Sequence, residues 1–425
     1  MAQLGGGGPQ TLFGFQLVSA ALSAENKPCN VGLAAGVGKD LPKPCKEWLR
    51  SIGCNTAGLF VGQQPTPRAW QVFEEDGRRT QIWRVRECDE LYQQLRPSFA
   101  QLPAAFQASR HYHLGIHAGH APMKLLRALR EASHAHGGLL SVETYTACNS
   151  PPPDQQLAAL LQAVDIFSPN EAEAASIVGP GSPQQLVQRL LAAGARTVSL
   201  RMGPEGVLVA HGPSRTMWHV PAVPGTRVVD VTGCGNAFCG GFLAGLHAGL
   251  SLLDAARWGC VAGSIMAEWQ GVPPAEMLWA PLLQQAAAKH ALLQAAGFEA
   301  SAFPRDWLSG SSVSNTGLSS SSSSSDGAVR HVGDGVPPDG AAEAVPAASS
   351  SGSSAVRGLP VQRQACGAMQ SCSGSSLPVR QMQRQHSPCY SRTASSSRRL
   401  LRSQGLVRSS LVLASAVRQK ACVRL

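Results

Sequence analysis

Two periodicities alternate through the middle of the chain. His111–His117 (HYHLGIH) alternates as a short strand, and a helix follows with Pro122 in its first turn and Gly137–Gly138 past its end. Leu139–Tyr145 is the next strand-like run, followed by a proline-rich loop and a helix through Leu157–Val164. Asp165–Ser168 reads as a short buried strand. Ser182 then caps a helix that has Pro183 in its first position, apolar Leu186, Leu190 and Leu191, and Gly194 as its stop. Thr197–Met202 and Val207–Ala210 make two strands around the turn Gly203-Pro204-Glu205-Gly206. Strand and helix signals in this order predict an α/β fold, a doubly wound, mainly parallel sheet with helices on both faces.

Two stretches break the pattern. Within residues 56–86, Thr80–Val85 alternates and Glu75-Asp76-Gly77 is a turn signal, so a small antiparallel appendage is expected there. From Ser309 onward the composition changes. Residues 309–425 carry 13 basic and 4 acidic side chains, most of the chain's formal charge of +10, and Tyr390 is their only aromatic residue. Seven consecutive serines, Ser319–Ser325, lie in the same span. Such a segment has too little apolar area to offset its ordering entropy. The expected organisation is a folded body over residues 1–308 and a disordered Ser/Gly/Arg-rich tail over 309–425. The tail's charge alone would suit an anionic partner, but a solvated extension is the plainer reading, so a nucleic-acid partner is disfavoured.

No run of 18 apolar residues is present, so no membrane span is expected. The first basic residue is Lys27, which argues against a cleaved leader. Twelve cysteines without a CxxC pair read as reduced, structural thiols of a cytoplasmic protein, with an organelle stroma as the other compartment.

The stretch with chemical content is Asp230-Val231-Thr232-Gly233-Cys234-Gly235-Asn236-Ala237-Phe238-Cys239-Gly240-Gly241-Phe242. It follows strand-like Thr226–Val229 and opens a helix on which Phe238, Phe242, Leu246 and Leu250 recur every four positions. Glycines at a strand-to-helix turn leave backbone N–H groups unblocked at the positive end of a helix dipole, which suits an anion such as a phosphoryl group. A second glycine-rich run, Gly36-Val37-Gly38-Lys39-Asp40, has the wrong spacing for a phosphate loop and an aspartate where a hydroxyl should bind Mg²⁺.

In these residues the chain resembles the ribokinase-like, or PfkB-type, carbohydrate kinases. Asp230–Phe238 resembles the family's second signature, Asp-Thr-Thr-Gly-Ala-Gly-Asp-x-Phe. Asn170-Glu171-Ala172-Glu173 resembles its Asn-x-x-Glu motif, and Gly203–Gly206 the turn bordering the nucleotide. Gly5–Gln10 resembles the first signature. The resemblance implies a central sheet with flanking helices and a small β lid, matching the appendage near 56–86. It implies transfer of the ATP γ-phosphoryl group to a hydroxymethyl group of a sugar, nucleoside or related alcohol. By position, Gly233, Cys234 and Gly235 would form the anion hole, with Asn236 at the catalytic position. Gly203 and Gly206 would line the nucleotide, with Asn170 and Glu173 near Mg²⁺. Asp230 and Thr232 would hold a monovalent cation, and Gly7, Gly8 and Gln10 would approach the sugar. Arg201 is either a charge for the phosphates or an ordinary surface arginine. The partner implied is a small molecule; the oligomeric state is open, a homodimer being one arrangement.

Two departures from the family pattern matter. Asn236 stands where the family has its catalytic aspartate, and a carboxamide is a poor base; losing a general base costs roughly 10²–10⁴ in rate. Phosphoryl transfer rests mainly on positioning and charge neutralisation, so kinase activity is expected to persist. The alternative is an impaired pseudokinase that binds nucleotide or sugar and acts by interaction. Secondly, only Met1–Leu4 precede Gly5, where the family places a strand, so a central strand is expected to be missing from this sequence. The remaining candidates are open. His111, His113, His117 and His120 cluster without a helical spacing or a Cys/Asp partner for a metal. Cys234 and Cys239 flank the helix start, and a small core residue is the reading preferred for Cys234. Glu143, at a strand end, either faces a cleft or caps a loop.

Overall fold

A computed structural model of the chain describes residues 4–73, 79–86, 88–277, 279–296, 300–302 and 410–414. In chain order the elements are α1 (Gly7–Leu22), β1 (Asn30–Val37), α2 (Lys43–Ser51), β2 (Cys54–Asn55), β3 (Leu59–Val61), β4 (Ala69–Phe73), β5 (Arg79–Trp83), α3 (Asp89–Leu95) and α4 (Ala104–Gln107). There follow β6 (His111–Ile116), α5 (Met123–Ala135), β7 (Leu140–Thr144), α6 (Asp154–Gln162), β8 (Ile166–Ser168), α7 (Glu171–Val178), α8 (Pro183–Ala192) and β9 (Thr197–Arg201). The last are β10 (Val207–His211), β11 (Thr216–Val220), α9 (Cys234–His247), α10 (Leu252–Ala267), α11 (Ala280–Ala295), β12 (Ala300–Ala302) and β13 (Ser410–Ala414).

One eleven-stranded sheet organises the body, in the order β12-β11-β10-β9-β8-β7-β6-β13-β1-β2, with β3 also on β1. Pairing is parallel from β9 through β2 and antiparallel from β9 out to β12. The alternation read from the sequence therefore places β6 to β10 with boundaries that shift by at most one residue, whereas β1, β2, β3 and β13 are not predicted by it. Each buried strand sends alternate side chains to opposite faces. Val31 and Leu33 of β1 enter one core with α1, α9 and α10, whereas Tyr112, Leu114 and Ile116 of β6 enter the other with α5, α6 and α8.

The helices beside the first core come unusually close. A Cβ on Gly14 of α1 would overlap the Ala237 carbonyl of α9, and one on Gly240 of α9 would overlap the Thr11 carbonyl of α1. Small residues let the two backbones touch, and this contact fixes the start of α1 against the start of α9.

Three expectations change. Thr226–Val229 is not a strand: Val229 and Asp230 donate their N–H groups to the Ala267 carbonyl at the end of α10 (2.7 and 3.1 Å), so loop hydrogen bonds replace a ladder. The appendage is smaller than residues 56–86. β4 and β5 form a separate antiparallel pair from Ala69↔Trp83 to Phe73↔Arg79, but β3 joins the main sheet; the turn signal Glu75-Asp76-Gly77 lies outside the described residues. Finally, residues within the span 309–425 contribute to the sheet. Ser410–Ala414 runs parallel between β1 and β6, pairing Asn30↔Ser410 on one side and His111↔Leu411 on the other. The sheet is continuous at its centre because this segment fills it.

Candidate functional site

The start of α9 is set by Gly233, whose backbone is left-handed (φ 87°), a conformation costly for any residue with a Cβ. Asp230 shapes the approach, its Oδ1 accepting the Thr232 N–H at 2.8 Å. The first N–H groups of a helix have no partner within it. Those of Gly235 and Asn236 find no acceptor among the described residues, and residues 232–236 are half-buried rather than sealed. The turn therefore presents free donors to solvent.

Side chains from three other elements underlie it. Gln10 of α1 lies against Gly233, where a Cβ would overlap its amide, and Arg201 of β9 lies against Gly235 in the same way. Gln10 is only 2% exposed, so the residue expected on the sugar instead supports the turn. The Asn236 carboxamide bridges Gln10 and Glu143. One end is 2.7 Å from the Gln10 amide and the other 3.0 Å from both Glu143 oxygens. A carboxylate only accepts, so the end facing Glu143 is the nitrogen, which donates.

Arg201 is not a surface arginine. Its Nη2 donates to the Ser168 and Thr144 carbonyls (2.8 and 3.2 Å), while Nη1 lies 3.3 Å from Glu143 and Nη2 3.4 Å from Glu173. Burial opposes its charge, but the Cys239, Glu143 and Glu173 charges beside it prevail and the net direction of its pKa is up.

Asn170 caps α7. Its Oδ1 accepts the Glu173 N–H at 2.8 Å, and the Glu173 carboxylate returns to the Asn170 N–H at 2.9 Å, a reciprocal capping box. Glu173 Oε2 also accepts the Thr144 hydroxyl at 2.7 Å, and burial pushes its pKa up. Gly203 and Gly206, both at positive φ, bend the chain between β9 and β10, so the turn follows Arg201 by two residues.

His113 of β6, Glu143 of β7 and Cys239 of α9 converge with their polar atoms within 4.8 Å of one another, all buried. His113 therefore does have a carboxylate and a thiol nearby, which spacing could not reveal because three elements supply the cluster. The Arg201 guanidinium on the same carboxylate already provides the cation there. Burial pushes the Cys234 thiol up to about 12, with Asp230 adding to the shift, which fits a small core residue at the turn. His117 and His120 stack at 5.0 Å, apart from this cluster.

Gly233, Gly235, Asn236, Gln10 and Arg201 are thus brought together, with Asn170 and Glu173 joined to them through Arg201. Gly7 is also here: the point where its Cβ would stand is 3.5 Å from the end of the Asn236 carboxamide that faces Gln10 and 3.6 Å from Glu143 Oε1. Gly8 is buried beside it in the first turn of α1. Two surface depressions, of about 520 and 440 Å³, lie elsewhere, around Arg130 and Gln162.

Comparison with known proteins is consistent with this arrangement. The model of the pfkB family carbohydrate kinases matches residues 16–275. A cytidine kinase of Thermococcus kodakarensis is 28% identical over 265 residues, covering 61% of this chain and 89% of that protein. Among solved structures, an Escherichia coli protein assigned as a ribokinase II, in complex with ATP and Mg²⁺, superposes with a TM-score of 0.51 at 19% identity, covering 69% of this chain and 89% of that one. A double mutant of Vibrio cholerae fructokinase, bound to fructose, ADP and potassium, gives 0.50 at 19% identity, with 69% and 91% covered.

Proposed function

The chain belongs to the pfkB family of carbohydrate kinases, and from that premise we propose that it transfers the γ-phosphoryl group of ATP to a primary alcohol of a sugar or nucleoside-like molecule. The observation that carries this reading is the half-open turn at Gly233–Asn236. Its free N–H groups lie at the positive end of α9, and the Arg201 guanidinium packs directly beneath Gly235. Charge developing on a transferring phosphoryl group meets fixed donors and a fixed cation there, so no reorganisation is needed during reaction.

The cytidine kinase and the fructokinase point to acceptors carrying a hydroxymethyl group, and the E. coli complex points to ATP with Mg²⁺. Mg²⁺ keeps several waters and is held largely by substrate phosphates. The buried Glu173 carboxylate, already engaged by Thr144, Asn170 and Arg201, fits a bracing role better than direct ligation. When bound, the metal would neutralise charge on the nucleotide phosphates, with Asn170 and Glu173 in the shell that supports it. Asp230 and Thr232 are the proposed contacts of a monovalent cation, because Asp230 offers a half-buried carboxylate at the turn.

The test is phosphate transfer from ATP by purified protein to cytidine, adenosine, ribose and fructose, with Mg²⁺ and with or without K⁺, alongside thermal unfolding. A ligand that binds only the native state raises the midpoint. The reading expects ATP with Mg²⁺ to raise it and at least one acceptor to be phosphorylated. Absence of transfer to every acceptor overturns it.

A further inference from the structure

Position 236 cannot supply a base, yet a carboxylate stands beside it. We infer that Glu143, at the end of β7, is the base that accepts the proton of the attacking hydroxyl, in place of a side chain on α9; this rests on the kinase reading above.

The geometry gives Glu143 two of the properties a base needs. First, it is held as a carboxylate by donors on several sides. Asn236 Nδ2 is 3.0 Å from both oxygens, Arg201 Nη1 is 3.3 Å from Oε2, His113 Nε2 is 3.3 Å from Oε1, and the Cys239 thiol is 3.6 Å from Oε2. Burial alone raises its pKa, but the His113 hydrogen bond and charge, with Arg201 and Cys239, outweigh this and the net direction is down. Secondly, position 7 does not cover it. A Cβ on Gly7 would stand 3.6 Å from Glu143 Oε1 and 3.5 Å from the end of the Asn236 carboxamide that faces Gln10. Because Gly7 has no side chain, nothing from this half-buried residue packs over either group.

A hydroxyl that reaches Oε1 past Gly7 donates to Glu143 while Asn236 fixes the carboxylate's orientation. As the oxygen bonds to the γ-phosphorus, the bond from that phosphorus to the β–γ bridging oxygen breaks and ADP leaves with the electron pair. The hydroxyl proton passes to Glu143 and then to solvent. A weak base suffices, because nucleophile bonding is little advanced in a loose phosphoryl-transfer transition state.

The experiment exchanges the two groups. Wild type, Glu143→Gln, and Glu143→Gln with Asn236→Asp are assayed with ATP, Mg²⁺ and the acceptor phosphorylated fastest in the panel above, from pH 3 to 9, because a carboxylate held below its ordinary range stops accepting a proton only at the acidic end. The groups facing Glu143 are His113 on β6, Arg201 on β9 and Asn236 and Cys239 on α9, with Glu173 on α7 beyond Arg201. Glu143→Gln is expected to lower kcat by roughly 10²–10⁴-fold, to leave the ATP-induced midpoint shift intact, and to abolish the acidic limb of the kcat profile. The exchanged pair keeps the amide–carboxylate hydrogen bond with its direction reversed, and is expected to recover at least tenfold of kcat and regain the limb. A purely structural role would not move that limb.

Retention of kcat within threefold by Glu143→Gln, with its acidic limb unchanged, overturns the assignment while leaving the kinase reading intact. Failure of the wild type to phosphorylate any acceptor overturns both. Should Glu143→Gln not fold, Glu143→Asp takes its place. It is expected to keep the limb with kcat lowered at least tenfold, and an unchanged kcat overturns the assignment.

Discussion

Gln10 lies against Gly233 so closely that a single methyl group at position 233 would overlap its amide. Residues 223 positions apart thus form one turn, held by the backbone contact of α1 with α9 at Gly14 and Ala237.

Gly233→Ala is therefore expected to be doubly penalised. Its left-handed φ of 87° costs a residue with a Cβ about 1–2 kcal/mol, and Gln10 must move away from Asn236. Thermal unfolding should show a lowered midpoint, and kcat should fall more than stability does, because the N–H groups lose their alignment.

Arg201 is the cation between two buried carboxylates, Glu143 and Glu173. Arg201→Met leaves both uncompensated, and breaking a buried pair costs about 3–5 kcal/mol. Without the guanidinium the Glu173 pKa, already raised by burial, rises further above its unfolded value, and Glu143 loses one of the charges that hold its own pKa down. Stability is then greatest at low pH and lost as pH rises through the Glu173 pKa. Urea unfolding should show a larger deficit relative to wild type at pH 8 than at pH 5.

His111 predicts the opposite slope. Burial, with the nearby His247 and Arg110 charges, lowers its pKa from 6.5 to about 3, and its Nδ1 accepts the Leu139 N–H at 3.1 Å. The folded pKa is depressed, so the stability this group contributes is complete above pH 6.5 and lost as pH falls toward 3. His111→Gln, which cannot charge, should flatten the fall in the unfolding midpoint between pH 7 and 5. An unchanged slope would remove His111 from the account.

Ser410–Ala414 pairs with β1 and β6, so Val412→Pro removes an N–H from an interior strand. Its midpoint should fall well below that of a proline variant placed at Ser395. With a protease site engineered at residue 350, the released C-terminal fragment should remain bound to the body through gel filtration, and Val412→Pro should free it.

The parallel strands β6 to β9 and the α/β class were readable from local patterns, since period-2 and period-3.6 burial are imposed residue by residue. So was the Gly233–Asn236 turn, because glycine and helix-start chemistry are local. Thr226–Val229 misled because an apolar run says nothing about whether a neighbouring strand exists to pair with it; here Val228 and Val229 are exposed. Arg201 could not be told from a surface arginine because its partners lie on β7, β8 and α7.

The sequence by itself determined the order of strands and helices from β6 to β10, the glycine turn at the start of α9 and the absence of a carboxylate at position 236. All are properties of residues adjacent along the chain. Only the tertiary structure decided that Glu143 faces Asn236, that Gln10 supports Gly233, and that residues 410–414 close the sheet between β1 and β6. These pairings join segments up to nearly 400 residues apart. Their selection depends on which surfaces meet once two faces of one sheet are buried, and no local periodicity encodes that.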